Sequence, residues 1–229
     1  MAATKPLPTA QKVCAEINEL VTYLVEVGLA DDQNLAYQAP ADGRNIAVTF
    51  PNTASFAALL KDRPYADAYE EQRAARAFNV RMLDGAIIQI SYEFTQSGDL
   101  VRYRLAFLPS PNLLEYQNNA EIYAEELLYA DVVDKRVVTV PVRFDFDART
   151  GVAESVNHPM SHLTLGQYSN CRIPAQAPLT PTLFIEFVLS SFYNTALASV
   201  SASMPRHNHR FGPCITVEES QIIHVGVPG

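Results

Sequence analysis

The sequence predicts a single α+β domain, an antiparallel sheet with helices packed mainly on one face. Two observations predict this fold. The strand-like segments follow one another in hairpin-like pairs and not in a regular βαβ alternation, and no Gly/Ser-rich or charge-dense linker divides the 229 residues. The domain is therefore expected to span the whole chain, residues 1–229.

The composition predicts a folded, acidic protein. Apolar residues make up 48% of the chain and charged residues 18%, which suffices for a core and is too little charge for disorder. The formal net charge of −8 repels phosphate backbones and anionic lipids, so nucleic-acid binding needs a local basic patch. Cys14, Cys171 and Cys214 show no paired spacing, and neither a signal peptide nor a membrane-length apolar run is present, which predicts a cytoplasmic location.

Four elements are predicted before the centre of the chain. Apolar residues at three- and four-residue steps predict an amphipathic helix over residues 9–28. Residues 31–44 are predicted to be loop, and residues 46–50 a short strand that ends at a proline. A second helix is predicted over residues 64–78, because a proline fits the first turn of a helix.

The clearest feature is a hairpin. Residues 86–95 and 100–108 both alternate and are rich in β-formers, and the Ser97, Gly98, Asp99 segment between them supplies the turn. Within the second strand, Arg102 and Arg104 are expected on one face and the intervening apolar residues on the other.

The second half is predicted to hold a helix, two strands and a buried helix. Residues 112–130 are helical on average, with an acidic exposed side. Residues 136–146 return to strand, with Pro141 indicating an edge or a bulge, and residues 160–165 form the next strand. The apolar run over residues 182–193 predicts a buried helix.

The candidate site begins in the alternating segment that contains Arg143, Asp145 and Asp147. A strand places these three charges on one face and the two phenylalanines between them in the core. If the following segment pairs with this strand, His158 and His162 face the same side, together with Met160 and Thr164. Two imidazoles would then approach two carboxylates.

Such a cluster suits a divalent metal site, or acid–base catalysis with Arg143 stabilising an anionic transition state. Histidines four residues apart are a convincing metal pair on a helix, and Pro159 argues against a helix here, so catalysis without metal is favoured. Metal binding stays open, and no cofactor is assigned. A solvated strand face, or a structural hydrogen bond between His162 and Asp145, would produce the same pattern.

Two further segments carry reactive or basic groups. Cys171 lies beside Arg172, which could lower its thiol pKa and favour a nucleophile, although no nucleophile elbow surrounds it. The basic residues within 206–210 could contact phosphate as part of a groove with Arg102 and Arg104. A polar loop between two elements would have the same composition.

The run from residue 143 to 193 contains the RFDFD strand, HPMSHLTLG, CRIP and the apolar helix, and it resembles the bacterial family called domain of unknown function twenty-two ninety. The resemblance implies a bacterial cytoplasmic protein without an assigned activity. More loosely, the arrangement is similar to small toxins of toxin–antitoxin modules, for which RNA cleavage is suspected. Thr164 stands where those toxins tend to carry another histidine.

The leading functional hypothesis is a conflict- or defence-associated, nuclease-like enzyme acting on RNA or DNA. His158 and His162 would supply acid and base, Arg143 or Arg172 would stabilise the phosphate, and Asp145 would orient a histidine. The alternative is a non-catalytic protein-binding subunit of a toxin–antitoxin or defence module, which would use its acidic surface. The expected partners are thus a nucleic acid or a protein encoded alongside, and not a membrane.

Overall fold

Antiparallel strand pairing organises the protein, for which a computed structural model describes residues 7–53, 63–111, 140–167 and 170–228. These residues form a nine-stranded sheet in which every ladder between named strands is antiparallel. The α+β prediction is confirmed, and two helices pack against one face of the sheet.

The strands in chain order are β1 (Ala30–Gln33), β2 (Tyr37–Pro40), β3 (Ile46–Thr49), β4 (Val80–Met82), β5 (Ile87–Phe94), β6 (Leu100–Leu108), β7 (Val142–Asp147), β8 (Ser161–Leu165) and β9 (Ile173–Pro174). Their spatial order is β1-β4-β5-β6-β7-β8-β9. The first residues of β5 pair with β4 and its last residues pair with β3, which in turn pairs with β2.

The α-helices of the described residues are α1 (Ala10–Glu26), α2 (Tyr65–Ala75), α3 (Pro181–Phe192), α4 (Asn194–Val200) and α5 (Val217–Ser220). The two long apolar helices begin as the sequence predicts. The Thr9 side chain caps α1 by accepting a hydrogen bond from Lys12, and the Thr180 side chain caps α3 by accepting one from Leu183. None of the described helices is both long and apolar enough to cross a membrane.

The predicted hairpin is confirmed as β5 and β6. Ser91 lies opposite Arg104 and Glu93 opposite Arg102, and the register shifts after Glu93. Gly98 completes the turn with a φ of 94°, a conformation that side chains with a Cβ rarely adopt. Arg102 and Arg104 therefore share a sheet face with Ser91 and Glu93, as the alternation predicts.

The helix-covered face of the sheet holds the main core. It is lined by Val48, Tyr92, Tyr103, Leu105, Phe144, Phe146 and Leu163, which pack against apolar residues of α1 and α3. On the opposite face, α2 covers only one end, where its Tyr69 packs on Ile87, Ala106 and Leu108. The sheet thus buries one face under helices and leaves the polar end of the other face uncovered by the described helices.

The prediction that Pro141 indicates an edge or a bulge is wrong, because β7 begins after it and pairs with both β6 and β8 in unbroken register. Other parts of the chain also differ from the predictions or lie beyond the described residues. The predicted loop over residues 31–44 is wrong in part, because it contains most of β1 and all of β2. β1 is a polar segment with a single buried residue, so no apolar alternation announces it. The acidic helix predicted over residues 112–130, and the predicted strand residues before 140, lie outside the described residues.

Phe144 tests the assignment of the two sheet faces. Its side chain is fully buried, and its ring packs edge-on against Phe187 with centroids 5.2 Å apart. Replacing Phe144 by alanine should lower the free energy of unfolding by about 3–5 kcal/mol in urea denaturation, because the change removes the ring and leaves a cavity. The exposed Ile223→Ala control should change it by no more than about 0.5 kcal/mol. An equally small loss for Phe144→Ala would contradict the assignment.

Candidate functional site

A cleft of about 550 Å³ lies on the polar face of the sheet. All five predicted site residues, Arg143, Asp145, His158, His162 and Arg172, line this cleft. Other charged residues that line it are Glu93, Arg102, Arg104, Asp147 and Arg149. The five side chains that the sequence predicts to lie together therefore do lie in one cleft.

Strand register brings the central groups into one row. Arg104 on β6 lies opposite Asp145 on β7, and Asp145 lies opposite His162 on β8. Directly opposed residues on antiparallel strands have Cβ atoms about 4.5–5.5 Å apart. A guanidinium, a carboxylate and an imidazole therefore meet across three adjacent strands.

Asp145 is the most strongly paired group of the cleft. Its Oδ1 accepts a hydrogen bond of 2.8 Å from Arg104 Nε, and its Oδ2 accepts one from Arg143 Nε. Burial raises the pKa of Asp145, but the Arg104 and Arg143 charges outweigh this effect, so the pKa lies below its ordinary value. Asp145 is therefore ionised and holds two guanidinium groups in place.

His162 is buried at the floor of the cleft and is oriented by the backbone. Its Nδ1 lies 2.8 Å from the Pro159 carbonyl oxygen, and its Nε2 lies 3.9 Å from Asp145 Oδ2, beyond hydrogen-bond distance. The sequence predicts that Asp145 orients a histidine, but the group within hydrogen-bond distance of the His162 ring is the Pro159 carbonyl oxygen. Burial lowers the pKa of His162, and the nearby Asp145 charge offsets this only in part, so the neutral ring is favoured.

His158 is carried by the turn between β7 and β8. It pairs through its backbone with Glu154, and its Nδ1 lies 2.8 Å from the carbonyl oxygen of Val152. The rings of His158 and His162 are neighbours, with centroids 5.2 Å apart and planes inclined at 59°. His158 therefore adjoins His162 although it precedes the strand.

The hydrogen bonds of the two rings fix their tautomers. A carbonyl oxygen can only accept, so His158 and His162 both carry a proton on Nδ1. In a neutral imidazole the other nitrogen, Nε2, is then an acceptor. Both rings can therefore offer an Nε2 lone pair to a proton or a ligand.

Arginine predominates among the remaining charges. Arg149 chelates Asp147 through Nε and Nη2, and Arg102 binds Glu93, which also accepts a hydrogen bond from Asn45. The cleft lining contains five arginines against three carboxylates. It is thus positive within a protein whose formal net charge is −8, which favours an anionic ligand.

The remaining sequence candidates lie elsewhere. Cys171 does not line the cleft, and Met160 packs against the main core, contrary to the expectation that it shares the side of the histidines. The histidines of segment 206–210 contact α1, which covers the opposite sheet face from Arg102 and Arg104. The prediction that segment 206–210 forms a basic groove with Arg102 and Arg104 is therefore wrong.

Among the charged residues that line the cleft, Glu93 and Arg149 are the two that the sequence analysis does not name. Glu93 could have been found, because the hairpin register places it opposite Arg102. Arg149 follows β7 in a turn, and no sequence pattern predicts its pairing with Asp147.

Both carboxylate oxygens of Asp145 already accept hydrogen bonds from guanidinium groups, so this carboxylate is a poor metal ligand.

The family comparison covers the entire cleft. The family model described as "Uncharacterized conserved protein (DUF2290)" matches residues 29–227. The chain belongs to the DUF2290 family. The matched residues include every residue that lines the cleft, and they begin after α1. Searches of curated proteins and of solved structures found no match.

Asp145 should stabilise the DUF2290 fold in a pH-dependent way. Asp145→Asn should lower the free energy of unfolding at pH 7 by about 3 kcal/mol, because it removes one partner of a largely buried ionic cluster. The folded-state pKa of Asp145 is depressed, so its contribution is present above the unfolded pKa of about 3.9 and is lost as pH falls below it.

The measurement is urea denaturation of both proteins between neutral and acidic pH. The difference between wild type and Asp145→Asn should shrink as the pH falls through about 4. Asp42→Asn is the matched control, since this side chain is 94% exposed. A pH-independent difference for Asp145→Asn would contradict the charge pairing.

Proposed function

We propose that this protein is a nuclease-like enzyme that binds single-stranded RNA in the cleft and cleaves it without a metal ion. It would act in the bacterial cytoplasm as a conflict- or defence-associated protein. The observation that carries the proposal is the pair of adjacent imidazoles with Nδ1 bound to backbone carbonyls, in a cleft lined by five arginines.

The arginines supply phosphate recognition. A guanidinium has five N–H donors, and Asp145 takes one of them from Arg143. Among the residues that the structure describes, the hydrogen bond of Arg172 is a long one of 3.5 Å to the Asn157 carbonyl oxygen. These two cations lie in the same cleft as the histidines and suit a phosphodiester whose negative charge grows in the transition state.

The chemistry follows from the two Nε2 atoms. Neutral His162 would accept the proton of the ribose 2′-hydroxyl, whose oxygen attacks the adjacent phosphorus. The bond from phosphorus to the 5′-oxygen breaks, and protonated His158 would donate its proton to that oxygen. The products are a 2′,3′-cyclic phosphate and a 5′-hydroxyl, so no water, metal or other reactant is needed in this step.

This mechanism favours RNA over DNA. The attacking oxygen belongs to the substrate, and DNA lacks the 2′-hydroxyl that supplies it. A DNA-cleaving enzyme needs a different nucleophile, commonly a water molecule activated by a metal ion. In this cleft both oxygens of Asp145 bind arginine and are not available for that role.

The test is cleavage of single-stranded RNAs that together contain every dinucleotide step, in the presence of EDTA. Wild type should cleave them, and His162→Ala and His158→Ala should each lower the rate by about 10²- to 10⁴-fold. His224→Ala is the matched control, because His224 is exposed and its Nδ1 also binds a backbone carbonyl. Circular dichroism should show that all variants are folded.

A substrate with deoxyribose on the 5′ side of the scissile phosphate gives a second control. It should stay intact, since it lacks the nucleophile. Cleavage of this substrate, full activity of His162→Ala, or an inactive wild type would each contradict the proposal. Binding of RNA without cleavage would instead favour a non-catalytic role.

The alternative hypothesis, a non-catalytic subunit that binds a protein, keeps the status of a prediction. The segment 112–130, whose predicted acidic helix supports this alternative, lies outside the described residues. The cleft favours nucleic acid over an acid-rich protein partner, because its positive charges accompany two oriented imidazoles that simple charge pairing does not require.

A further inference from the structure

A second cluster of histidines lies on the helix-covered side of the sheet. It consists of Glu16 on α1 with His207 and His209 from the segment after α4. One ligand atom from each of these residues lies within 4.8 Å of the other two. Glu16 is fully buried, and His209 is 7% exposed.

Local geometry directs these side chains toward one point. His207 and His209 are two residues apart, and both contact carboxylates of α1 while Asn208 between them is exposed. Arg210 Nη1 donates hydrogen bonds to the carbonyl oxygens of His207 and His209, which holds the segment in this shape. The centroids of the His207 and His209 rings are 5.7 Å apart.

Glu16 is held as a metal-binding carboxylate commonly is. Its Oε1 accepts hydrogen bonds of 2.8 Å and 2.6 Å from the backbone and hydroxyl of Thr182, at the first turn of α3. Its Oε2 points toward His209 Nε2, at 2.5 Å. One oxygen is thus oriented by outer contacts, and the other faces the histidines.

His207 is the group that a simple ion pair leaves unexplained. A buried carboxylate paired with one histidine would account for Glu16 and His209. The Nε2 of His207 is also buried and has no hydrogen-bond partner in the described structure, although Glu19 Oε2 lies 3.2 Å away. A buried ring nitrogen without a partner is costly, and a cation at this point would satisfy it.

We propose that Glu16, His207 and His209 bind a zinc ion through Oε2 and the two Nε2 atoms. Two imidazoles and one carboxylate are a donor set that zinc accepts, with bonds of about 2.0–2.2 Å. Glu19, one helical turn from Glu16, is placed to become the fourth ligand through its contact with His207. Small side-chain shifts bring the four groups around one ion.

The site is structural and independent of the cleft. It joins α1 to the segment after α4. In the sequence, Glu16 and His209 are 193 residues apart. The site lies on the side of the sheet opposite Asp145 and His162. At this site α1, α3 and the segment after α4 meet. Zinc would thus fasten α1 to the rest of the fold without contacting the RNA.

The experiment uses the full chain without a histidine tag, dialysed against EDTA and then titrated with zinc or cobalt. Wild type should bind one zinc per chain by elemental analysis, and cobalt should give the visible absorption of a tetrahedral site. Zinc should raise the melting temperature by about 5–10 °C at a hundredfold excess over Kd.

His207→Ala is the decisive variant, because its side chain is 23% exposed and its removal should not unfold the protein. It should lose the bound zinc, the cobalt spectrum and the thermal shift. His224→Ala and His162→Ala, which remove histidines outside the cluster, should retain all three. A wild type without stoichiometric zinc, or zinc retained in His207→Ala, would overturn the proposal.

Discussion

The structure of the cleft depends on one carboxylate, Asp145, held between Arg104 and Arg143. A carboxylate that is only 14% exposed must be paired, because an isolated buried charge is expensive. The antiparallel register supplies one partner by placing Arg104 opposite Asp145, and Arg143 on the same strand supplies the other. Ionised Asp145 in turn aligns the guanidinium groups of Arg104 and Arg143. A carboxylate therefore positions two of the arginines that make the cleft positive.

The same strands keep this polar row rigid. Phe144 and Phe146 alternate with Asp145 and bury their rings in the main core, where Phe144 packs against Phe184 and Phe187 of α3, so the charged side chains project from a packed scaffold. The two imidazoles are positioned differently, by carbonyl oxygens of Pro159 and Val152. Backbone contacts thus fix the nitrogen that each ring presents, while side-chain charges set the potential around them.

Sequence pattern could predict what depends on alternation and little of what depends on long-range contact. The RFDFD alternation predicts the two faces of β7, and the hairpin predicts its neighbour β6. The carbonyl partners of the histidines lie in an irregular turn, which no periodicity describes. The contact of Glu16 with His209 joins the chain ends, and the polar strand β1 lacks apolar alternation, so neither could be predicted locally.

The most direct test of the cleft is side-chain NMR of His158 and His162 with and without an RNA analogue that lacks the reactive 2′-hydroxyl. Both rings should carry their neutral-state proton on Nδ1, the His162 pKa should lie below its ordinary value of about 6.5, and the analogue should shift both Nε2 resonances. Nε2-protonated rings, or resonances that the analogue leaves unchanged, would contradict a cleft that presents two imidazoles to a bound phosphate.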